Sequence, residues 1–458
     1  MILFAILVLV DFTVGNDLLF EHRIDIAGLP LNLLDALVAL LFVRQAFRSR
    51  LNDFKTDRVH PLFIWSFALL VAAMMVGVMG STMNGSTLRE WITALRNQAM
   101  LPLCIFIGYN ILRTPRHVRP ITYIWLFGGV CSALGTLFLV RDTAEEVKWG
   151  KSFDELRAIR YGGDAGLTSM AFLAFALLSR VKVLPRLLMV ALLLLCGASF
   201  FSLPHRGSYV VGIGILTYIA LVLPRASIGR RVGMLFGGFA IMLVSMLLIG
   251  AVLSQMTGRD FKTYVINNRL KQLLPGYDLE TKTTVLGTRL PGILAELQLW
   301  SESPVIGQGF AIGVTYEDQM GARGMGMNHN VWTSSLSQMG PLGLFGYAVP
   351  VIGCMIVGFR MWRDQTERDM AILGALGAIT GVISFMWASL SMTINQQRLA
   401  ILVGLMFGIV FRCRAMQLTV AREYAGYLEP GQMLDADGGT ETEDYGNLAI
   451  GHGGPIHS

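Results

Sequence analysis

An all-α, polytopic membrane protein of about twelve transmembrane helices with one large extramembrane loop is the fold this sequence predicts. Three observations carry that expectation. Of the 458 residues, 53% are hydrophobic and only 15% charged. Apolar stretches approaching the ~20 residues that cross a bilayer recur along the chain. Lys and Arg collect between alternate pairs of those stretches. Such a composition excludes a soluble monomer, because a hydrocarbon solvent tolerates apolar surface all round and penalises ionised groups. The net charge of +6 falls in short loops, where it sets topology, and nucleic-acid binding is discarded. Cys104, Cys131, Cys196, Cys354 and Cys413 lie in or beside apolar stretches without metal-type spacing. They read as small core residues.

The apolar stretches run 1–14, 29–47, 61–80, 98–112, 118–140, 165–179, 184–203, 207–223, 233–254, 331–359, 370–391 and 397–411. The first begins at Met1 and carries Asp11. No small-residue cleavage site follows and a second stretch arrives at once, so it reads as an uncleaved helix. With the amino terminus inside, one set of connections holds Arg44, Arg48, Arg50, Lys55 and Arg58, then Arg113, Arg116 and Arg119, then Arg180, Lys182 and Arg186. Arg225, Arg230 and Arg231, then Arg360, Arg363 and Arg368, and finally Arg412 and Arg414 continue the series. All fall on one side, and the positive-inside rule makes that side, with both termini, cytoplasmic.

The chain divides accordingly. Residues 1–254 form a membrane domain of nine helices, 255–330 a large outer loop, 331–414 the last three helices, and 415–458 a Gly- and acid-rich tail expected to be disordered. Two long outer links, 141–164 and 255–330, are where function is expected. In the larger, Leu286, Leu290, Ile293, Leu294 and Leu297 recur at helical spacing after Val285, with Pro291 near the start. This predicts an amphipathic helix that either lies on the membrane surface or packs without a chemical role. The charged link 141–164, with Glu145, Glu146, Lys148, Lys151, Asp154, Glu155, Arg157 and Arg160, reads as a solvated segment or an acceptor-contacting one.

No Walker loop, dinucleotide fingerprint, zinc HExxH or serine nucleophile elbow occurs. The candidates for chemistry are ionisable residues at the outer helix ends. His205-Arg206-Gly207 opens an apolar helix after Pro204. An arginine there can fork onto phosphate oxygens beside free backbone N–H groups, or simply snorkel to lipid headgroups. Arg289 opens the amphipathic helix, either as a second anion ligand or as a solvated charge. His329-Asn330 stands where the large loop enters the tenth stretch, followed by Gln338, Gly340, Pro341 and Gly343. A histidine there titrates near neutrality and can act as a general base, or serve only as a structural hydrogen-bonding group.

The run from Gly287 to Gly346 resembles the O-antigen ligase and O-antigen polymerase family of bacterial envelope glycosyltransferases. That family shows an arginine, a helix, a Pro-x-x-Gly-x-Gly turn, then His-Asn entering a membrane helix with an acidic residue and paired glycines. Arg289, Pro304, Gly307, Gly309, His329, Asn330, Gly340 and Gly343 fit that order. Ser202-Leu203-Pro204-His205-Arg206-Gly207 resembles the family's Ser-x-Ser-Arg-Gly turn. Gln338 stands where the family usually has a glutamate, Ile293 where a tryptophan is common, and Pro204 replaces the second serine.

The resemblance implies a bacterial inner-membrane enzyme with both termini cytoplasmic and a periplasmic large loop. It implies transfer of a glycan from an undecaprenyl-diphosphate-linked oligosaccharide to an acceptor hydroxyl, by a metal-independent inverting displacement that needs no cofactor. The acceptor is lipid A core, a growing polysaccharide chain or a protein side chain. Arg206 and Arg289 then bind the diphosphate and His329 accepts the acceptor proton, with Asn330 and His205 as supporting residues. Two other readings stay open. A solute transporter of the same domain family should carry ionisable residues near mid-membrane, where Asp35, close to an outer end, is the clearest acid. A scaffold for other envelope enzymes would tolerate replacement of Arg206, Arg289 and His329.

Overall fold

The computed structural model describes residues 24–26, 29–31, 33–51, 59–149, 161–202, 206–222, 227–260, 263, 285–310, 314–317, 323–326, 330–364, 367–390 and 397–427. Among them the chain is helical apart from two short antiparallel hairpins. The first pairs β1 (Ile24–Ile26) with β2 (Leu29–Leu31), and the second pairs β3 (Val314–Glu317) with β4 (Arg323–Gly326). The helices are α1 (Leu33–Leu51), α2 (Pro61–Met83), α3 (Leu88–Ile111), α4 (Val118–Lys148), α5 (Tyr161–Leu178), α6 (Arg186–Ser202), α7 (Arg206–Val222), α8 (Ile228–Thr257), α9 (Val285–Glu302), α10 (Val331–Asp364), α11 (Arg368–Leu390) and α12 (Gln397–Tyr427).

Six segments are long and apolar enough to cross a membrane: Pro61–Met83, Pro115–Lys148, Arg231–Thr257, Val331–Asp364, Arg368–Leu390 and Ala400–Thr419. They make this a multi-pass helical membrane protein. Gly166–Leu178, Arg186–Ser202 and Tyr209–Val222 are apolar but shorter. Outward-facing apolar side chains such as Phe236, 73% exposed, and Leu248, 62% exposed, on α8 suit a lipid surrounding.

Several boundaries differ from the sequence expectation. The stretch at 1–14 lies outside the described residues. The link expected at 141–164 is helical at both ends, since α4 continues to Lys148 with Arg141 and Glu145 3.8 Å apart, and α5 begins at Tyr161. The tail assigned to 415–458 begins later, because α12 runs on to Tyr427 and buries Ala415 and Met416. Apolar side chains facing the bundle prolong that helix past its arginines. Residues 428–458 lie outside the described residues.

Helix contacts decide where the ends meet. The most extensive packing joins α3 to α12, where Gly404 and Gly408 sit four residues apart on one face. A Cβ at Gly408 would lie 2.1 Å from the Ile105 carbonyl oxygen, so only glycine lets the backbones approach this closely. Helix α10 packs on α2 and α11.

The basic connections gather at one end. Arg412 Nε donates to the Leu112 carbonyl at 3.2 Å, Arg368 donates to the Lys182 carbonyl, and Arg414 pairs with Asp364 at 2.9 Å. His60 lies at the same end, capping α2: its Nδ1 accepts the Leu62 N–H at 3.3 Å, and its backbone N–H donates to the Tyr109 hydroxyl at 3.1 Å. Burial, and then the charge of Arg414, push the His60 imidazole down to about 4. The ring is therefore neutral at pH 7, as an accepting Nδ1 requires.

Linkage gives the sign of the pH effect. The unfolded chain takes the proton near 6.5 and the fold only near 4. The fold therefore binds fewer protons between those values, and stability falls as pH drops through them. The expected loss on acidification to pH 4 is about 3 kcal/mol. Thermal unfolding in detergent from pH 7 to pH 4 should show a shallower decline for His60→Asn, which keeps a capping oxygen but does not titrate.

Candidate functional site

The end opposite the basic connections holds the segments that the sequence singled out. Helix α10 is discontinuous there. Gly340 adopts φ 62°, ψ −161° and is followed by Pro341. Proline has no N–H, so the Ser337 carbonyl four residues earlier loses its helical donor, and the turn at Gly340 releases the Gln338 carbonyl as well. Both are satisfied from outside: Gln308 N–H donates to Ser337 at 2.7 Å and Gly309 N–H to Gln338 at 2.9 Å.

The Pro304-x-x-Gly307-x-Gly309 turn is therefore a plug seated in the helix break. Phe310, fully buried, anchors it. Its N–H donates to Ser81 Oγ at 2.6 Å, and its ring lies over Gly77 of α2. Irregular backbone at membrane depth is stable only when protein encloses it in this way.

Helix α9 sits against the first turn of α10. The expected amphipathic helix is present, but it is turned the other way round from a soluble one. Leu290 and Leu294 face outward at 45% and 55% exposure, while Gly292 and Glu296 face in. Glu296, only 2% exposed, accepts hydrogen bonds from Thr333 Oγ1 and Ser334 Oγ, each at 2.5 Å. Arg289 is seven residues before Glu296, two helical turns and about 10 Å along the same face. Glu296 thus fixes the helix that carries Arg289 onto the helix that follows His329.

Asn330 holds the next joint. Its Oδ1 accepts the N–H groups of Trp332 (2.9 Å) and Thr333 (3.2 Å), capping α10, while its Nδ2 donates to the Ser389 carbonyl at 3.3 Å. Trp332 Nε1 donates to Ser389 Oγ at 2.9 Å. Two residues earlier on α11, Trp387 receives α7: a Cβ at Gly207 would lie 3.1 Å from its ring.

The last turn of α11 is accordingly a hub. It touches the start of α7, where Arg206 is the first residue, and the start of α10, which α9 clasps through Glu296. Arg206 opens α7 beside this hub, Arg289 lies on α9 two turns before Glu296, and His329 and His205 lie outside the described residues. Gln338 is interior and accepts from Gln98 Nε2 at 2.8 Å.

Sequence reasoning missed Glu296, Thr333, Ser334 and Ser389. For Glu296 a signal existed: a lone carboxylate two turns from Arg289 inside a run of leucines. Glu296→Ala strands two hydroxyls that donate to a charged acceptor, and should lower stability by about 3 kcal/mol. Glu296→Gln keeps an acceptor and should cost visibly less; thermal unfolding of the two variants in detergent separates them.

Neither a family model nor a curated protein matches the chain. The functional reading therefore stands on this geometry and on the motifs.

Proposed function

We propose that the protein is a membrane glycosyltransferase that moves a glycan from undecaprenyl diphosphate to an acceptor hydroxyl at the outer face of the bacterial inner membrane. The acceptor is lipid A core in an O-antigen ligase, or a growing chain in an O-antigen or exopolysaccharide polymerase. About twelve spans, two cytoplasmic termini and a periplasmic loop over 255–330 belong to the same proposal. The observation that carries it is that the last turn of α11 meets the start of α7, whose first residue is Arg206, and the Asn330-capped start of α10, which Glu296 of α9 clasps two turns after Arg289.

The step that these residue types support is a single displacement. The acceptor oxygen attacks the anomeric carbon and its proton passes to His329. The bond from that carbon to the diphosphate oxygen breaks with inversion, and undecaprenyl diphosphate leaves. Arg206 and Arg289 balance the charge that grows on the leaving diphosphate, which is the work a metal ion does in other transferases. Asn330, spent on capping α10 and on Ser389, acts by holding the loop end in place. The in-span acid that a transporter would use, Asp35, is paired with Arg96 at 3.3 Å, which favours chemistry at the outer face over passage through the middle.

The test is incubation of the purified protein, with chelator, with undecaprenyl-diphosphate-linked oligosaccharide. Release of undecaprenyl diphosphate with longer glycan and no added acceptor identifies a polymerase. Release only with lipid A core identifies a ligase, and release only with a protein acceptor identifies an oligosaccharyltransferase. No release from folded protein under any of these conditions overturns the proposal.

A further inference from the structure

The basic end of the bundle contains a cavity of about 310 Å³ between the starts of α4 and α11 and the link joining α5 to α6. Three cations from three separate elements line it: Arg119 in the first turn of α4, Lys182 in the link and Arg368 at the start of α11. Glu367 and Asp369 lie on the same wall as Arg368. The walls are tied together. Arg119 Nε donates to the Tyr123 hydroxyl at 3.3 Å, with the guanidinium 5.6 Å from the ring centre. That hydroxyl donates to the Val183 carbonyl at 3.2 Å, and Arg368 donates to the Lys182 carbonyl. These contacts hold the two arginines and the backbone of the link around the gap.

Their arrangement calls for a ligand that carries both signs. The cations come from three separate elements, so an anion in the gap can approach all three, and arginine forks suit phosphate oxygens. The two acids sit side by side. Burial, and then the neighbouring Asp369 charge, raise the Glu367 carboxyl above its usual range, which a cation seated between the acids would relieve. The level is also informative. Segments Pro115–Lys148 and Arg368–Leu390 both begin here, at the depth where phospholipid headgroups lie.

We propose that this cavity binds the headgroup of a membrane phospholipid bearing a primary ammonium beside its phosphodiester, as in phosphatidylethanolamine, with the phosphate on Arg119, Lys182 and Arg368 and the ammonium on Glu367 and Asp369. The site lies at the other end of the bundle from the candidate active site and does not depend on the proposed reaction. Recognition of the ammonium uses its N–H groups, so a choline headgroup, which has none, is a poor ligand. A glycerol headgroup brings no cation to Glu367 and Asp369.

Native mass spectrometry of the full chain in detergent, titrated with short-chain phosphatidylethanolamine, phosphatidylcholine and phosphatidylglycerol and with inorganic phosphate, tests this. The ethanolamine lipid should bind about tenfold more tightly than the other two lipids. Arg119→Gln with Lys182→Gln should weaken it about tenfold. Glu367→Gln with Asp369→Asn should erase the preference for ethanolamine over glycerol while binding persists. Each pair is compared with the parent for helical circular dichroism, and if one pair fails to fold the other decides. Equal affinity for the three lipids, or no change in a folded variant, overturns the proposal. Inorganic phosphate binding as tightly as the lipid overturns the lipid assignment in favour of a free-phosphate site.

Discussion

Release of undecaprenyl diphosphate is expected to fall at least about a hundredfold in His329→Ala, with membrane insertion and thermal stability unchanged. The imidazole is the one side chain at this end of the chain's large loop whose ordinary titration range suits proton transfer near pH 7. Its removal leaves a hydroxyl that must attack with its proton still attached. Donor affinity should be preserved, because in the proposed site the arginines hold the diphosphate, so kcat should fall with little change in KM. The neighbouring Asn330 cannot substitute. Its oxygen is occupied by the Trp332 and Thr333 N–H groups and its amide by Ser389, and an amide has no basic lone pair to offer. Activity close to the parent's would remove His329 from the reaction and leave the loop end with a purely structural role.

The largest stability effect is expected at the plug. Gly309 has φ +89°, and a Cβ there would meet the Ser81 nitrogen at 2.1 Å and the Gly80 carbonyl carbon at 2.5 Å. These are backbone atoms in the last turn of α2, which cannot swing aside as a side chain can. Gly309→Ala should therefore cost about 3 kcal/mol or more, combining the left-handed penalty with overpacking. Gly85→Ala is the matched control: φ is +71° but nothing lies within 4 Å, so only the conformational part, about 1 kcal/mol, should appear. Unfolding in detergent reads both. A Gly309→Ala variant no less stable than Gly85→Ala would mean that the plug is not seated in the helix break.

The legible and the illegible parts of this molecule differ in physical kind. Alternating blocks of arginine foretold which connections share an end, and the contacts of Arg368 with Lys182 and of Arg412 with Leu112 join those connections. Apolar length foretold the long helices, because lipid demands a backbone satisfied within each segment. The Pro304-x-x-Gly307-x-Gly309 run stood out as a motif, but its use as a donor to Ser337 and Gln338 depends on Pro341, which lies in another segment. Glu296 was hidden for a related reason. The leucines of α9 left open whether their stripe met the membrane surface or the protein; Leu290 and Leu294 face out and the carboxylate faces in. Periodicity gives a stripe, whereas the choice of which side is the interior belongs to the surroundings.

The plug in α10 also bears on how the chain is assembled. Helices that satisfy their own backbones enter a bilayer one by one and associate afterwards. Helix α10 departs from that order, because its Ser337 and Gln338 carbonyls take their donors from residues 308 and 309, whose neighbour Phe310 is latched to Ser81 of α2, 229 positions away in the chain. Threading and tertiary closure are one event for this segment. The turn after α9 therefore has to be in place for the α10 segment to be stable, which makes residues 307–310 part of how the membrane domain closes.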